Sequence, residues 1–185
     1  VCAHAYSAEA ITRAVRAGVR TIEHGNLVDD AAARLMAERG AFMVPTLVTY
    51  DSMRQRGADF GMSKYSLAKN DIVLEAGVRS LEICRAAGVQ IGFGTDLLGP
   101  LQGDQNNEFL IRARAMPAAD VIRSATIVNA QILRQEGKLG EIVPGAHADM
   151  LVIDGDPYRD LSVLAGSGEK LAQIMLGGRF VKNAL

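Results

Sequence analysis

Two of the three histidines in this sequence stand at the ends of strand-like runs, where side chains that do chemistry are often placed. His4 and His24 each follow such a run, and Asp96 follows the run Ile91–Thr95 in the same way. Two imidazoles and a carboxylate form a ligand set suited to Zn²⁺, with Mn²⁺, Co²⁺ or Fe²⁺ also possible. The three residues are therefore candidates for one metal site.

Each of these residues, taken alone, has a simpler interpretation. A histidine at a strand end is more often a hydrogen-bonding loop residue than a ligand, and Asp96 alone could cap the next segment. The joint pattern favours the metal site, because all three residues follow predicted strands. The third histidine, His147, lies in the turn Pro144–Asp149 and is interpreted as a surface residue.

The elements that must position these residues alternate regularly along the first half of the chain. Short apolar runs alternate with amphipathic stretches, which predicts parallel strands with helices on the faces of the sheet. We predict strands at the start of the chain and at residues 20–24, 41–45 and 89–94, and helices at residues 8–17, 29–39 and 70–87. In a (β/α)-barrel the carboxyl ends of the strands open into one mouth, where the active site lies.

The intervening and later segments have a different character. Residues 46–68 show no clear period, which predicts a functional loop at the mouth, as we also expect for residues 97–108. A helix is predicted over residues 118–134. The character changes at Gly137. After it we predict a short strand and turn at 139–145, a second strand at 150–153, and a hairpin of residues 172–176 and 179–182 that turns at Gly177-Gly178.

The composition excludes several classes of function. Of the 185 residues, 49% are hydrophobic and 22% are charged, and the net charge is −1. This balance predicts no binding to nucleic acid or to an anionic membrane surface. No apolar run approaches the length of about 18 residues that a membrane span requires, so we expect no membrane-spanning segment.

The start of the chain and its cysteines bear on its processing and location. The first residues have no initiator Met and no basic or apolar leader pattern, so we expect a fragment of a longer protein without a signal peptide here. The two cysteines, Cys2 and Cys84, do not form a disulfide framework, and Cys84 is interpreted as a small core residue. We therefore expect a cytoplasmic protein.

Several motifs together resemble the amidohydrolase superfamily. They are, in order, His4-Ala5-Tyr6-Ser7, Ile22-Glu23-His24-Gly25 and Gly94-Thr95-Asp96, and they are supported by Ala125-Thr126 with Asn129-Ala130 and by the stretch 137–157. The similarity is greatest to the imidazolonepropionase-like branch, with its metal-dependent Xaa-Pro and Xaa-Arg dipeptidases. It implies the second half of a (β/α)8 TIM barrel at residues 1–136, followed by part of a small β-sandwich domain at residues 137–185.

The resemblance also implies a role for each candidate residue. His4 and His24 would bind the second metal from the fifth and sixth barrel strands, and Asp96 would bind the first metal from the eighth strand and act as the catalytic proton carrier. Tyr6 would bind the substrate carboxylate, with packing at the rim as the alternative. The implied cofactor is Zn²⁺, with two ions in the full-length protein. The family's His-x-His pair and bridging lysine are absent here, so this chain is expected to be the C-terminal part with an incomplete site.

The leading hypothesis for function is a metal-dependent hydrolase of amide-type C–N bonds. It would release the C-terminal residue of an Xaa-Pro or Xaa-Arg dipeptide or of an N-acyl amino acid. A cyclic amidohydrolase or deaminase of the imidazolonepropionase type is an alternative, and so is a catalytically silent scaffold subunit. We expect a small-molecule or dipeptide substrate as the partner, and a homo-oligomer.

Overall fold

The structure is a computed structural model that describes residues 1–185. Strands and helices alternate in the first half, and a group of strands ends the chain. Their order is β1 (Cys2–Ser7), α1 (Ala8–Arg16), β2 (Thr21–Leu27), α2 (Asp30–Glu38), β3 (Phe42–Val44), α3 (Leu47–Arg56), α4 (Lys64–Ala87), β4 (Gln90–Ile91), α5 (Glu108–Arg112), α6 (Ala118–Arg123), α7 (Asn129–Leu133), β5 (Met150–Ile153), β6 (Leu171–Leu176) and β7 (Arg179–Asn183). None of the helices combines the length and the apolarity needed to cross a membrane.

The first four strands form one parallel sheet in the order β1-β2-β3-β4. Because consecutive strands are neighbours and a helix follows each of the first three, the expected α/β class is confirmed. All four carboxyl ends lie along the same edge of the sheet, as parallel pairing requires. The candidate residues of β1, β2 and the segment after β4 are thereby brought to that edge.

The helix boundaries follow from local capping. Ser7 and Asp29 accept hydrogen bonds from the amides of Ala10 and Ala32, and so cap α1 and α2. Gly88, with φ of +80°, ends α4 in the left-handed conformation that favours glycine. The two predicted helix starts and this predicted stop are confirmed. The predicted burial of Cys84 is also confirmed, and burial raises the pKa of its thiol to about 12.

The prediction of an irregular loop over residues 46–68 is wrong. This segment holds α3 and a 3₁₀ turn at Gly57–Phe60, and α4 begins at Lys64 rather than at residue 70. The first turns of α3 are buried on every side, whereas its last turn is exposed. A helix buried in this way shows no apolar stripe, so its period could not be read from the sequence.

Three other predicted elements differ from the structure. The strand predicted at 89–94 is shortened to β4, because the Asn129 side chain, rather than another strand, pairs with the N–H and C=O of Phe93. The helix predicted over 118–134 is interrupted by a π-helical turn at Ser124–Val128, where the Thr126 hydroxyl bonds back to the carbonyl of Ile122. In residues 139–145 the predicted turn is present at Pro144-Gly145, but the predicted strand is not, since residues 139–141 form a bend and 142–143 are irregular.

The last three strands form a separate antiparallel sheet in the order β5-β6-β7. The turn between β6 and β7 is Gly177-Gly178, as predicted, with φ of +56° and +79°. Two positive φ values in a two-residue loop are what a tight hairpin requires. The domain boundary at 136/137 stays a prediction.

A buried ion pair on α5 joins the ends of β3 and β4 to the start of α3. Glu108 and Arg112 have no side-chain exposure, and Arg112 Nε donates to Glu108 Oε1 at 2.7 Å. Arg112 also donates to the carbonyl oxygens of Gly92 and Pro45, each at 2.8 Å, beyond the ends of β4 and β3. The other Glu108 oxygen accepts from the Val48 amide at 2.7 Å and so caps α3.

The surroundings of Glu108 act on its charge in opposite directions. Burial raises the pKa of Glu108 to about 7, whereas Arg112 and the backbone amides of Val48 and Leu47 act to lower it. Every polar contact to this carboxyl group comes from a donor, which is the pattern that suits the ionised form. The hydrogen bonds of Glu108 therefore favour its ionised form, and the charge of that form is balanced by Arg112.

We expect Arg112→Met to lower the free energy of unfolding by about 3–5 kcal/mol, because it leaves the Glu108 charge buried and unpaired. Urea denaturation followed by circular dichroism measures the change. Glu9 and Arg13 form an exposed pair with the same i,i+4 spacing, so Arg13→Met is the matched control. The control should change stability by no more than about 0.5 kcal/mol. Equal urea midpoints for the two variants would contradict the anchoring role.

Candidate active site

His4 and His24 meet at the carboxyl ends of two neighbouring strands. His4 Nδ1 and His24 Nε2 lie 2.7 Å apart. In a regular pleat His24 is level with Ala5 and would point to the opposite face from His4. The backbone of His24 has φ of +74°, a left-handed conformation that leaves the regular pleat at this residue.

The imidazole of His24 is buried and held on both sides. It is 3% exposed, and its Nδ1 lies 2.9 Å from the hydroxyl oxygen of Thr46. The ring of Tyr6 stacks on it with the centroids 4.8 Å apart and the planes at 15°. Burial lowers the pKa of His24, an effect that Asp96 opposes and His4 reinforces. The neutral imidazole that results is the form that binds a metal ion.

Two tyrosines adjoin this histidine pair. Tyr6, on β1, is 39% exposed, and its hydroxyl accepts a hydrogen bond of 2.7 Å from the buried Tyr50 of α3. Burial, followed by the hydrogen bond to Tyr6, raises the pKa of Tyr50, while a hydrogen bond with Thr46 acts to lower it. Tyr50 therefore stays protonated and remains a hydrogen-bond donor at neutral pH.

Asp96 lies near the histidines without joining them. Its charge acts on both His24 and Tyr50, which places it on the same edge of the sheet. However, no three His, Cys, Asp or Glu side chains in the chain come close enough together to hold a metal ion. The structure thus brings two of the three predicted ligands into contact and leaves Asp96, with φ of +50°, exposed beside them. The exposure predicted for His147 is confirmed.

Thr46 and Tyr50 are site residues that the sequence reasoning missed. Both lie in the segment 46–68, which was expected to line the mouth without any residue in it being singled out. Their only signal was that they follow the end of a predicted strand, as the histidines do. A threonine and a tyrosine have no ligand character by themselves, so only the fold reveals their contacts with His24 and Tyr6.

Two surface cavities lie away from the histidine pair. One, of about 260 Å³, borders the amino end of β4 and includes Arg85, Asp120 and Arg123. The other, of about 340 Å³, lies between the start of α2 and α4. Neither has His4 or Asp96 in its lining. The candidate site is therefore defined by its side chains and does not coincide with either of these cavities.

The donor set of the histidine pair fits a divalent metal ion such as Zn²⁺. Two ring nitrogens from neighbouring strands converge on one point, and the second nitrogen of His24 is engaged by Thr46. Histidines that bind metals usually have their other ring nitrogen bonded in this way, which fixes the tautomer and the orientation of the ring. His4 and His24 could therefore serve as two ligands, with Asp96 as a nearby carboxylate.

The family of the chain is shown by comparison with known proteins. The model of the amidohydrolase family matches residues 1–181. The chain belongs to the amidohydrolase family. The resemblance found in its motifs is confirmed, and so is the expected fold class of a partial barrel followed by part of a small β domain.

Several family members resemble the chain over nearly its whole length. A prolidase crystallised with N-methylphosphonate-L-proline is 52% identical with a TM-score of 0.94, and the match covers 99% of this chain and 45% of that one. A Xaa-Pro dipeptidase with methionine in its active site is 32% identical with a TM-score of 0.86 over the same shares. Ochratoxinase of Aspergillus niger is 25% identical over 184 residues, which are 98% of this chain and 38% of ochratoxinase. The chain thus spans less than half the length of these relatives.

We expect Thr46→Val to weaken Zn²⁺ binding by about 10- to 100-fold, because it removes the group that orients the metal-binding ring of His24. Equilibrium dialysis followed by metal analysis measures the affinity. Thr49→Val is the matched control, since Thr49 is also buried in this region and makes no side-chain contact with His24. An unchanged affinity in Thr46→Val would contradict the orienting role of Thr46.

Proposed function

We propose that the protein containing this chain is a metal-dependent hydrolase of amide-type C–N bonds that releases the C-terminal amino acid of a dipeptide, with Xaa-Pro as the leading substrate. The observation that carries the proposal is the contact between His4 and His24 beside the partly exposed Tyr6. The similarity to a prolidase crystallised with a proline phosphonate supports the choice of substrate.

His4, His24 and Asp96 are the proposed holders of the metal, with Zn²⁺ as the leading candidate. When bound, the ion would polarise the substrate carbonyl and activate water near neutral pH. The chain's own contribution is to keep the His24 ring neutral by burial and to fix its orientation through Thr46. Stacking of Tyr6 on the other side of His24 excludes solvent from that face.

Asp96 is proposed to carry protons at the site. Its carboxylate is exposed and lies at the end of the segment that follows β4. An oxygen of Asp96 would accept a proton from the attacking water and donate it to the leaving nitrogen, which is general base and then general acid catalysis. Both transfers use one carboxyl group, so no further proton carrier is needed.

Tyr6 is proposed to bind the free carboxylate of the substrate. Tyr6 is partly exposed, its hydroxyl accepts from Tyr50, and a phenol hydroxyl donates well to an anionic oxygen. Holding the carboxylate at Tyr6 would place the scissile amide towards His4 and His24. Such a site favours substrates whose released residue carries a free carboxyl end.

We expect the longest protein that contains this sequence, loaded with Zn²⁺, to hydrolyse Xaa-Pro dipeptides in a panel with Xaa-Arg dipeptides, N-acyl amino acids and cyclic amides. Asp96→Asn should lower kcat/KM by about 100- to 10,000-fold, because the proton carrier is lost. Product release measured by chromatography gives the rates. Asp154→Asn, in an exposed pair with Lys170 beyond the parallel sheet, is the matched control and should leave the rate unchanged.

Two outcomes would contradict the proposal in different ways. Turnover of cyclic amides alone would exclude the dipeptidase and favour the cyclic amidohydrolase. A protein that binds no divalent metal and turns over no member of the panel would favour the silent scaffold.

A further inference from the structure

The strongest unexplained contact near the site is the hydrogen bond between two tyrosine hydroxyls. Tyr50 is 6% exposed, and its hydroxyl donates to the Tyr6 hydroxyl oxygen at 2.7 Å. Burying a phenol hydroxyl costs free energy unless its proton finds an acceptor. Tyr6 supplies that acceptor. Tyr6 itself does not need Tyr50, because it is partly exposed and its hydroxyl could bond to solvent instead.

The direction of this bond determines where the Tyr6 proton points. A hydroxyl has one proton and two acceptor positions. Since Tyr50 fills an acceptor position of the Tyr6 oxygen, the proton of Tyr6 must be directed away from Tyr50. Tyr6 is 39% exposed whereas Tyr50 is buried, so a Tyr6 proton that points away from Tyr50 is free to bond a ligand.

The rings fix this arrangement in space. Tyr6 stacks on His24, and the edge of Tyr50 meets both rings, at 82° to Tyr6 and 78° to His24 with centroids 6.5 Å and 6.4 Å away. Such edge-to-face contacts are favourable and directional. Neither phenol can swing without breaking contact with the imidazole.

Tyr50 is itself anchored from outside the site. The side-chain amide of the buried Asn70, on α4, donates to the backbone carbonyl of Tyr50 at 2.7 Å. Glu108, on α5, caps the first turn of α3, the helix that holds Tyr50, by accepting from the Val48 amide. The position of the Tyr50 hydroxyl is therefore set by α4 and α5 as well as by its own helix.

We infer that Tyr50 is a positioning residue that makes the Tyr6 hydroxyl a one-way hydrogen-bond donor for the carboxylate of the substrate's C-terminal residue. The inference rests on the proposed function. A free Tyr6 hydroxyl could turn and present its lone pairs, which repel a carboxylate, whereas one that accepts from Tyr50 is already oriented for an anion. Tyr50 thus acts on substrate binding without touching the substrate.

The test compares Tyr6→Phe, Tyr50→Phe and the double variant in the longest zinc-loaded protein that contains this sequence. Isothermal titration with L-proline and with L-prolinamide separates binding of the carboxylate from binding of the ring and amine. Tyr158→Phe is the control, since Tyr158 is exposed and lies far along the chain. Thermal unfolding of each variant verifies that it folds.

We expect Tyr6→Phe to weaken L-proline binding by roughly 10- to 100-fold and Tyr50→Phe to weaken it by roughly 5-fold, in line with the loss of a charged and of a neutral hydrogen bond. L-Prolinamide binding should fall less than L-proline binding in each variant, by roughly 5-fold or less, because its amide oxygen accepts only a neutral hydrogen bond from Tyr6. In the Tyr6→Phe background, Tyr50→Phe should have no further effect.

Other outcomes overturn the inference. An effect of Tyr50→Phe that persists in the Tyr6→Phe background would show that Tyr50 does not act through Tyr6. Equal losses for both ligands, or a Tyr50→Phe protein that fails to fold, would assign Tyr50 a purely structural role. Absence of L-proline binding to the parent protein would contradict the carboxylate site at Tyr6 itself. Failure of the proposed function is separate: it is seen as absence of dipeptide turnover while the pattern of L-proline binding still holds.

Discussion

The buried pair of Glu108 and Arg112 is the interaction on which the arrangement of the site depends. Arg112 holds the carbonyl oxygens of Gly92 and Pro45, and Glu108 holds the amide of Val48. Neither charged group is exposed to solvent, so no water can replace its protein partners and each group keeps those partners in place. The ends of two strands and the start of one helix are thereby tied at a single point.

Thr46 lies between two of these anchors, and the site follows from that position. The carbonyl before it is held by Arg112, and the amide two residues after it is held by Glu108. With the backbone fixed on both sides, the Thr46 hydroxyl reaches His24, and Tyr50, one turn further along α3, reaches Tyr6. An ion pair on α5 thus orients side chains of β1 and β2 that it does not touch.

The sequence predicted the parts of this arrangement that are local. Helix caps and the β/α alternation depend on neighbouring residues, and a histidine at a strand end has ligand character wherever it lies. The tertiary parts could not be predicted in the same way. Glu108 and Arg112 have the same i,i+4 spacing as the exposed pair Glu9–Arg13, and only packing distinguishes a buried pair from a surface pair. For the same reason α3, buried around its first turns, had no period to detect.

His24 and Asp96 both adopt left-handed backbone conformations, with φ of +74° and +50°. Such positions cost of order 1–3 kcal/mol each and persist only where the surroundings determine them. For His24 the surroundings are the stacked ring of Tyr6 and the hydroxyl of Thr46 at Nδ1. Asp96 makes no side-chain hydrogen bond, whereas the next residue, Leu97, is buried. Because no hydrogen bond holds it, the carboxylate can rotate without disturbing the imidazole pair, which is the freedom that a proton carrier needs.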